Sequence, residues 1–261
     1  MKDQTWFITG STGIGGETAR LAGAGGARVF VVSRTEANWR ELVAGLRAAG
    51  ADADGATVDV TRAAEVDAAV SRCVNTFGGI DAAFNVAGIS GRRFGDGPAH
   101  ECTDDGWAIT MDTNARGVFF SCRAILRQML DQPVRPDGLR GSILNMVSVL
   151  GFSPEPNHFG THAYAASKGA IIAMTRAMAA TYAPQRIRVN VIAPGLVRTP
   201  MARRAADDPV IQQAMNRKQP LFGEMLDAVD VARAAVFLLG NESRAITGET
   251  LVVDGGWCVS G

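Results

Sequence analysis

Short apolar runs rich in β-branched residues alternate along this chain with longer, alanine-rich stretches whose apolar positions recur at helical spacing. The runs predict strands at residues 5–9, 28–33, 56–59, 80–86, 142–147, 188–193 and 250–253. The stretches between them predict helices near 14–24, 36–49, 62–77, 104–131, 162–182 and 228–239. Most of the strand runs are continuously apolar, the pattern of parallel strands covered on both faces. The repeated β-then-α order predicts an α/β fold: a doubly wound parallel sheet of about seven strands, helices on both faces, right-handed crossovers. Three stretches follow neither period: 90–103, 151–161 and 195–227. In such a sheet the loops at the carboxyl ends of the strands surround the ligand crevice, so these three are expected to be substrate loops.

Composition narrows the picture without changing it. A chain of 261 residues fits one α/β domain, so residues 1–261 are read as a single domain. Hydrophobic residues at 47% and charged residues at 20% match an ordinary globular protein. A formal net charge of zero offers no basic surplus to nucleic acid or to an anionic membrane. The first residues lack the apolar core of a signal peptide, and no apolar run is long enough to span a bilayer. Cys73, Cys102, Cys122 and Cys258 are scattered, with no C-x-x-C pair. They read as reduced thiols, and the expected location is cytoplasmic.

The first strand runs into Thr9-Gly-Ser-Thr-Gly-Ile-Gly-Gly16 and then a helix. Gly10, Gly13 and Gly15 permit a tight turn and close approach of the backbone to a pyrophosphate, with Ser11, Thr12 and Ile14 between them. The helix that follows aims its first N–H groups at that anion. The second strand ends in Ser33-Arg34, about twenty residues past the turn. An acid at this place would bind the ribose 2′-hydroxyl of NAD; an arginine accommodates the 2′-phosphate of NADP. Here Ser33 stands in the acid's place and Arg34 follows it, so NADP(H) is expected, with NAD(H) as the alternative. Ser33 and Glu36 also fit a helix capping box, which leaves Arg34 available for phosphate.

Tyr164 and Lys168 lie four apart on a predicted helix and so share one face. A phenol titrates near pH 10, and a nearby ammonium favours its ionised form. A tyrosine tuned in this way can exchange a proton with a carbonyl or alcohol oxygen while hydride moves at carbon. The pair alone is a weak signal, but its surroundings sharpen it. The fifth strand ends at the hydroxyl of Ser148, Asn114 lies upstream, and Pro194-Gly195 lies downstream.

Taken in order, Thr9-Gly-Ser-Thr-Gly-Ile-Gly15, Asp59-Val60, Asn85-Val-Ala-Gly88, Asn114, Ser148, Tyr164 with Lys168, Pro194-Gly195 and Val253-Asp-Gly-Gly256 resemble the short-chain dehydrogenase/reductase family, compact branch. The resemblance covers nearly the whole chain and implies a Rossmann-type sheet. It implies that Tyr164 is the general acid/base, that Lys168 holds the nicotinamide ribose and lowers the tyrosine pKa, and that Ser148 hydrogen-bonds the substrate oxygen. Asn114 would position a water in a proton relay behind Lys168. Asp59 and Val60 would border the adenine, and Asn85, Ala87 and Gly88 would line the cofactor cleft. Pro194, Gly195, Val197 and Thr199 would face the nicotinamide. Two features depart from the family pattern. Val86 replaces a frequent asparagine, a change expected to touch local packing. The interval from Ser148 to Tyr164 is also a few residues longer, which places a loop at 153–161 beside the substrate pocket.

The resulting expectation is an NADP(H)-dependent carbonyl reductase that interconverts a ketone and a secondary alcohol. Three alternatives stay open: an NAD-dependent alcohol dehydrogenase of the same family, a nucleotide-sugar epimerase, for which Gly10, Gly13 and Gly16 have the spacing, and a dinucleotide-binding sensor without catalysis. No cluster of His, Cys and acids has metal-ligand spacing, so no metal is expected. Ser153 and Ser167 lack the elbow of a nucleophile. His162 is expected to cap or pack at a helix start, and Trp257 to form an interface or a pocket wall. Met201, Met215, Phe222 and Met225 suggest an adaptable apolar lid. The resemblance also implies a homotetramer, or a dimer, paired through the helices near 104–131 and 162–182 and through the C-terminal strand.

Overall fold

The computed structural model describes residues 1–260. Its first half alternates β1 (Thr5–Thr9), α1 (Gly13–Ala24), β2 (Arg28–Ser33), α2 (Glu36–Ala48), β3 (Ala53–Thr57), α3 (Ala63–Phe77) and β4 (Ala82–Asn85). Then come α4 (Asp104–Met111), α5 (Gly117–Asp131), β5 (Gly141–Met146), α6 (His162–Tyr182) and β6 (Ile187–Pro194). The chain closes with β7 (Val197–Arg198), α7 (Arg203–Ala206), α8 (Pro209–Lys218), β8 (Leu226–Asp227), α9 (Ala228–Leu239) and β9 (Thr250–Val253). Seven strands form one parallel sheet in the order β3-β2-β1-β4-β5-β6-β9. The order reverses between β1 and β4, and the crevice outside a reversal of this kind is where a ligand binds.

Strand alternation sorts the core into two layers. Phe7 of β1 and Phe30 and Val32 of β2 face α3, α5 and α6, where Phe7 and Phe30 stack at 5.7 Å and Phe77 meets Phe30 edge-on at 6.4 Å. Trp6, Ile8, Val29 and Val31 face the other way, against α1, α2 and α9. Every residue of β1 is buried, as a strand covered on both faces requires. A third, smaller cluster lies over the carboxyl ends of the strands, built from Val149, Ala205, Ile211, Met215, Met225 and Trp257.

The structure corrects the expected elements in three places. The third strand is Ala53–Thr57, earlier than the expected 56–59. Its residues have low strand propensity because Trp39 of α2 lies against it: a Cβ on Gly55 would come within 2.7 Å of the Trp39 ring, whose Nε1 donates to Thr57 Oγ1 at 3.0 Å. The helix expected at 104–131 is interrupted by one π-helical turn, Asp112–Arg116. The stretch 195–227 is not irregular. It holds α7, α8 and the two-stranded pairing of β7 with β8. Asp208 caps α8, its carboxylate accepting from Val210 N at 2.9 Å and Ile211 N at 3.4 Å, and Pro209 opens the helix. That Asp-Pro start was a readable signal. Among the described residues no helix is long and apolar enough to cross a membrane.

Candidate active site

A cleft of about 690 Å³ opens at the carboxyl ends of β1, β2, β4, β5 and β6. Its deep wall is the glycine turn. Gly10 and Gly13 adopt φ of +115° and +53°, which L side chains rarely reach. A Cβ on Gly15 would lie 2.9 Å from Val86 Cγ1, so Val86 packs onto the turn as expected, while its N–H donates to Thr9 Oγ1 at 3.0 Å. A Cβ on Gly13 would lie 3.0 Å from Thr199 Cγ2, so Thr199 closes over the turn from the opposite lip. Thr12 is the N-cap residue of α1 but its side chain makes no cap bond, and Ser11 Oγ is buried without a partner. An uncapped helix start, an orphan hydroxyl and a backbone without Cβ atoms together fit a dinucleotide pyrophosphate.

Ser33, Arg34, Asp59 and Val60 line the adjoining end. Burial raises the Asp59 carboxyl pKa, but hydrogen bonds from Thr61 N and Oγ1, at 3.0 and 2.7 Å, and the charges of Arg34 and Arg62 outweigh it and hold the pKa below the ordinary value. Arg34 is exposed and makes no salt bridge among the described residues. The capping box expected of Ser33 and Glu36 does not form. Thr35 is the N-cap residue, so Glu36 lies too early in the helix to reach back, and it pairs with Arg40 Nε at 2.6 Å instead.

The opposite wall carries Ser148, Tyr164 and Lys168, which line this cleft together with Ala87, Gly88, Pro194, Gly195, Val197 and Thr199. Ser148 is 7% exposed, and its Oγ accepts from Leu150 N at 3.2 Å, which fixes the chain as it leaves β5. Lys168 is 4% exposed; its Nζ donates to Met146 O at 3.2 Å and lies 5.4 Å from the centre of the Tyr164 ring. Desolvation lowers the Lys168 pKa to about 8. Desolvation also raises the Tyr164 pKa above its ordinary value, against a hydrogen bond with Ser148 that lowers it. The lowered tyrosine pKa expected from Lys168 is therefore not a property of the protein alone, because burial penalises the phenolate more than its surroundings favour it.

Asp96 fixes the start of the helix that carries this pair. Its carboxylate is buried and accepts from Ala163 N at 3.0 Å and from Tyr164 N at 2.9 Å. His162 begins the same helix, exposed, with Nδ1 accepting from Ala99 N at 3.0 Å, so it packs at the helix start as expected. Asn114, fully buried in the π-helical turn, clasps Ile89 from both sides. Its Oδ1 accepts from Ile89 N at 2.9 Å, and its Nδ2 donates to Ile89 O at 3.0 Å and to Ser167 Oγ at 3.1 Å. A Cβ on Gly88 would meet Asn114 Oδ1 at 3.0 Å and Lys168 Nζ at 3.6 Å, so those two groups converge behind the cleft. Single π turns inside α-helices are frequent at functional sites.

Three of the expected residues do not line the cleft. Gly15 and Asn114 lie just behind it. Asn85 points the other way, on the strand face it shares with Ala83. Its Nδ2 donates to Asn145 Oδ1 at 2.9 Å and to Cys122 Sγ at 3.2 Å, and Asn145 Nδ2 donates to Thr175 Oγ1 at 2.9 Å. Trp257 is a pocket wall, 2% exposed, with its ring 5.8 Å from that of Phe159. Of the expected lid residues, Met201 lines the cleft, and Met215 and Met225 are buried in the third cluster. Phe222 is 56% exposed on the turn after α8 and does not line the cleft. Phe159 lines the cleft, as expected of the 153–161 loop, whereas Asp96 and the rim arginines Arg92, Arg93 and Arg204 carry no individual signal in the sequence. A buried acid holding a helix sixty-odd positions downstream leaves no local signal.

A glycine turn at the switch of a parallel sheet, facing a Ser–Tyr–Lys wall, defines a dinucleotide-dependent oxidoreductase. The family model described as enoyl-(acyl carrier protein) reductase matches residues 8–258, and the chain belongs to the short-chain dehydrogenase/reductase family, whose members act on alcohols and ketones with nicotinamide dinucleotides. It is 38% identical to the A-factor type gamma-butyrolactone 1'-reductase (1S-forming) of Streptomyces virginiae, over 99% of this chain and 97% of that protein. It is 36% identical to 3beta-hydroxysteroid dehydrogenase 1 of Eggerthella lenta, over 98% and 94% of the two chains. Among solved structures, levodione reductase superposes with a TM-score of 0.88 at 27% identity, over 98% of both chains.

Proposed function

We propose that this protein is an NADP(H)-dependent carbonyl reductase and that residues 1–261 act as one dinucleotide-binding and catalytic domain. The observation that carries the reading is that Ser148, Tyr164 and Lys168 line the same cleft as the uncapped glycine turn. Gly10 to Gly15 would cradle the pyrophosphate, Asp59 and Val60 would border the adenine, and Lys168 would hold the nicotinamide ribose. The nicotinamide, when bound, supplies the hydride that reaches the carbonyl carbon. Ser148 Oγ donates a hydrogen bond to the carbonyl oxygen and offsets the charge that develops there. Tyr164 gives that oxygen its proton. A phenol whose pKa lies above its ordinary value stays protonated across neutral pH, the form in which it can give that proton. Asn114 and Lys168, converging behind Gly88, mark the route by which Tyr164 regains its proton. A cytoplasmic location accords with reduced thiols and with a chain that carries no membrane-spanning helix among the described residues.

The preference for NADP(H) rests on Arg34, an exposed, unpaired guanidinium at the end of β2 that lines the cleft beside Asp59. Parallel titrations of the purified protein with NADPH and NADH, followed by nicotinamide fluorescence, test it. NADPH is expected to bind about tenfold or more tighter, a preference that Arg34→Ala removes while NADH affinity holds. Tighter binding of NADH would overturn the cofactor assignment and put alcohol oxidation first.

A further inference from the structure

The outer end of the cleft carries positive charge that the proposed chemistry does not use. Arg92, in the short helical turn Arg92–Phe94 after β4, and Arg204, on α7, both line the cleft. Each donates from Nη2 to the same acceptor, the His158 carbonyl oxygen, at 3.3 Å and 3.1 Å. The other N–H donors of both planar guanidiniums are left for a further partner. Neither arginine makes a salt bridge among the described residues. Asp96, the acid whose charge Arg92 does feel, already has both carboxylate oxygens engaged by the first turn of α6. Two guanidiniums drawn to one oxygen repel each other. Burial and the charge of Arg204 together hold the Arg92 pKa below its ordinary value.

Between this rim and the reacting groups the wall is apolar. The Phe159 and Trp257 rings pack at 5.8 Å, and Arg204 Cζ lies 5.9 Å from the Phe159 ring centre. Leu150 and Met201 complete the wall, and Ser148 and Tyr164 stand at its inner end. The one carboxylate lining the cleft, among the described residues, is Asp59, and it sits beside Arg34 at the adenine end. From inside to outside the substrate side therefore presents two hydroxyls, an apolar wall and three arginines without salt bridges, Arg92, Arg93 and Arg204, of which Arg92 and Arg204 share one acceptor.

We propose that Arg92 and Arg204 bind an oxyanion on the substrate, so that the carbonyl compound this enzyme takes has an apolar body ending in a carboxylate or a related oxyanion. The proposal rests on the reductase reading above. A planar fork of N–H donors matches a carboxylate in two parallel hydrogen bonds, and an anion between the two forks cancels their mutual repulsion.

The test compares matched ketones on protein saturated with its preferred dinucleotide: a keto acid against its methyl ester, with a keto sulfonate and a keto phosphate as further arms. The acid is expected to show a KM about tenfold or more below that of the ester, and about 0.5 M salt is expected to shrink the gap. Whichever arm has the lowest KM identifies the oxyanion. Arg92→Gln and Arg204→Gln should each collapse the acid-to-ester ratio. Arg203→Gln, which removes an exposed charge outside the cleft, should preserve it. Equal KM for acid and ester overturns the proposal. So does a ratio that survives both cleft substitutions while only Tm falls, which would leave the pair as a clasp on the His158 loop. If no ketone is turned over, the reductase reading fails separately. Thermal shift with the carbonyl-free carboxylate then decides the anion site: stabilisation that depends on Arg92 and Arg204 supports it, and none overturns it.

Discussion

Lys168 keeps its ammonium inside the protein with one carbonyl for company, and that has a consequence for stability. Its pKa is about 8 in the folded chain and returns to an ordinary 10.5 on unfolding. Between those pH values the unfolded chain binds a proton that the folded chain has released, so the lysine makes stability rise with pH across this window. Cys73 and Cys122, raised by burial to about 12 from 9.0, act in the opposite sense above pH 9.0, because the folded chain keeps protons that the unfolded one sheds. A difference measurement cancels the thiols. Urea midpoints of Lys168→Met are expected to exceed those of the wild type at pH 7, with the wild type closing the gap between pH 8 and 10.5. A gap independent of pH would show that burial of the ammonium is not what sets this pKa. Tyr164 and Lys168 were legible in the sequence because their relation is local, four positions on one helix. The place of Arg34 on the cleft lining was legible for the same reason, since it stands at a fixed distance past the glycine turn. The direction of the Tyr164 shift was not legible, since desolvation depends on every element packed around the phenol.

At the scale of elements, the helix that bears Tyr164 and Lys168 is held at its start by a side chain from another part of the chain. Asp96 satisfies two of the N–H groups that a helix start leaves unpaired, and its charge favours the positive end of the helix dipole. Asp96→Ala is expected to cost about 1–2 kcal/mol of stability in urea denaturation and to lower kcat with little change in dinucleotide affinity. An unaltered kcat would show that Tyr164 is positioned without this cap. Regular elements with a strong apolar period were read correctly to within a few residues, as in β1, β2 and α6. The misses have particular causes. The third strand gives up strand-forming side chains to make room for Trp39, so its pattern is weak where its neighbour is large. The π-helical turn around Asn114 is set by hydrogen bonds to Ile89, which no helical period reveals. Asn85 lies on a strand covered on both faces, where apolar patterning does not say which way a polar side chain points.

The whole molecule leaves aromatic surface uncovered. Trp107 on α4 is 47% exposed and Phe119 on α5 is 40% exposed, and Arg123 lies over the rings of both Phe119 and Phe120 at 5.4 and 5.1 Å. These are the helices expected to pair between copies, and we propose that α4 and α5 form one interface of a homotetramer. Light scattering at about micromolar concentration is expected to give the tetramer mass, and Trp107→Glu a smaller species. A monomeric wild type would reject the assembly. The small cluster over the cleft has an effect of a different kind. Met215, Met225, Ile211 and Ala205 bury their apolar surface mainly against one another and against Val149 and Trp257, apart from both main layers. A segment with its own modest core can come away while the sheet stays intact. Rising urea should therefore silence the enzyme well before it melts. Residues 200–226 would exchange their amide hydrogens at concentrations where β1, β4 and β5 remain protected, and turnover would fall along with that local protection. Activity lost in mild urea would then return on removing the denaturant, because the sheet that carries the glycine turn never unfolded.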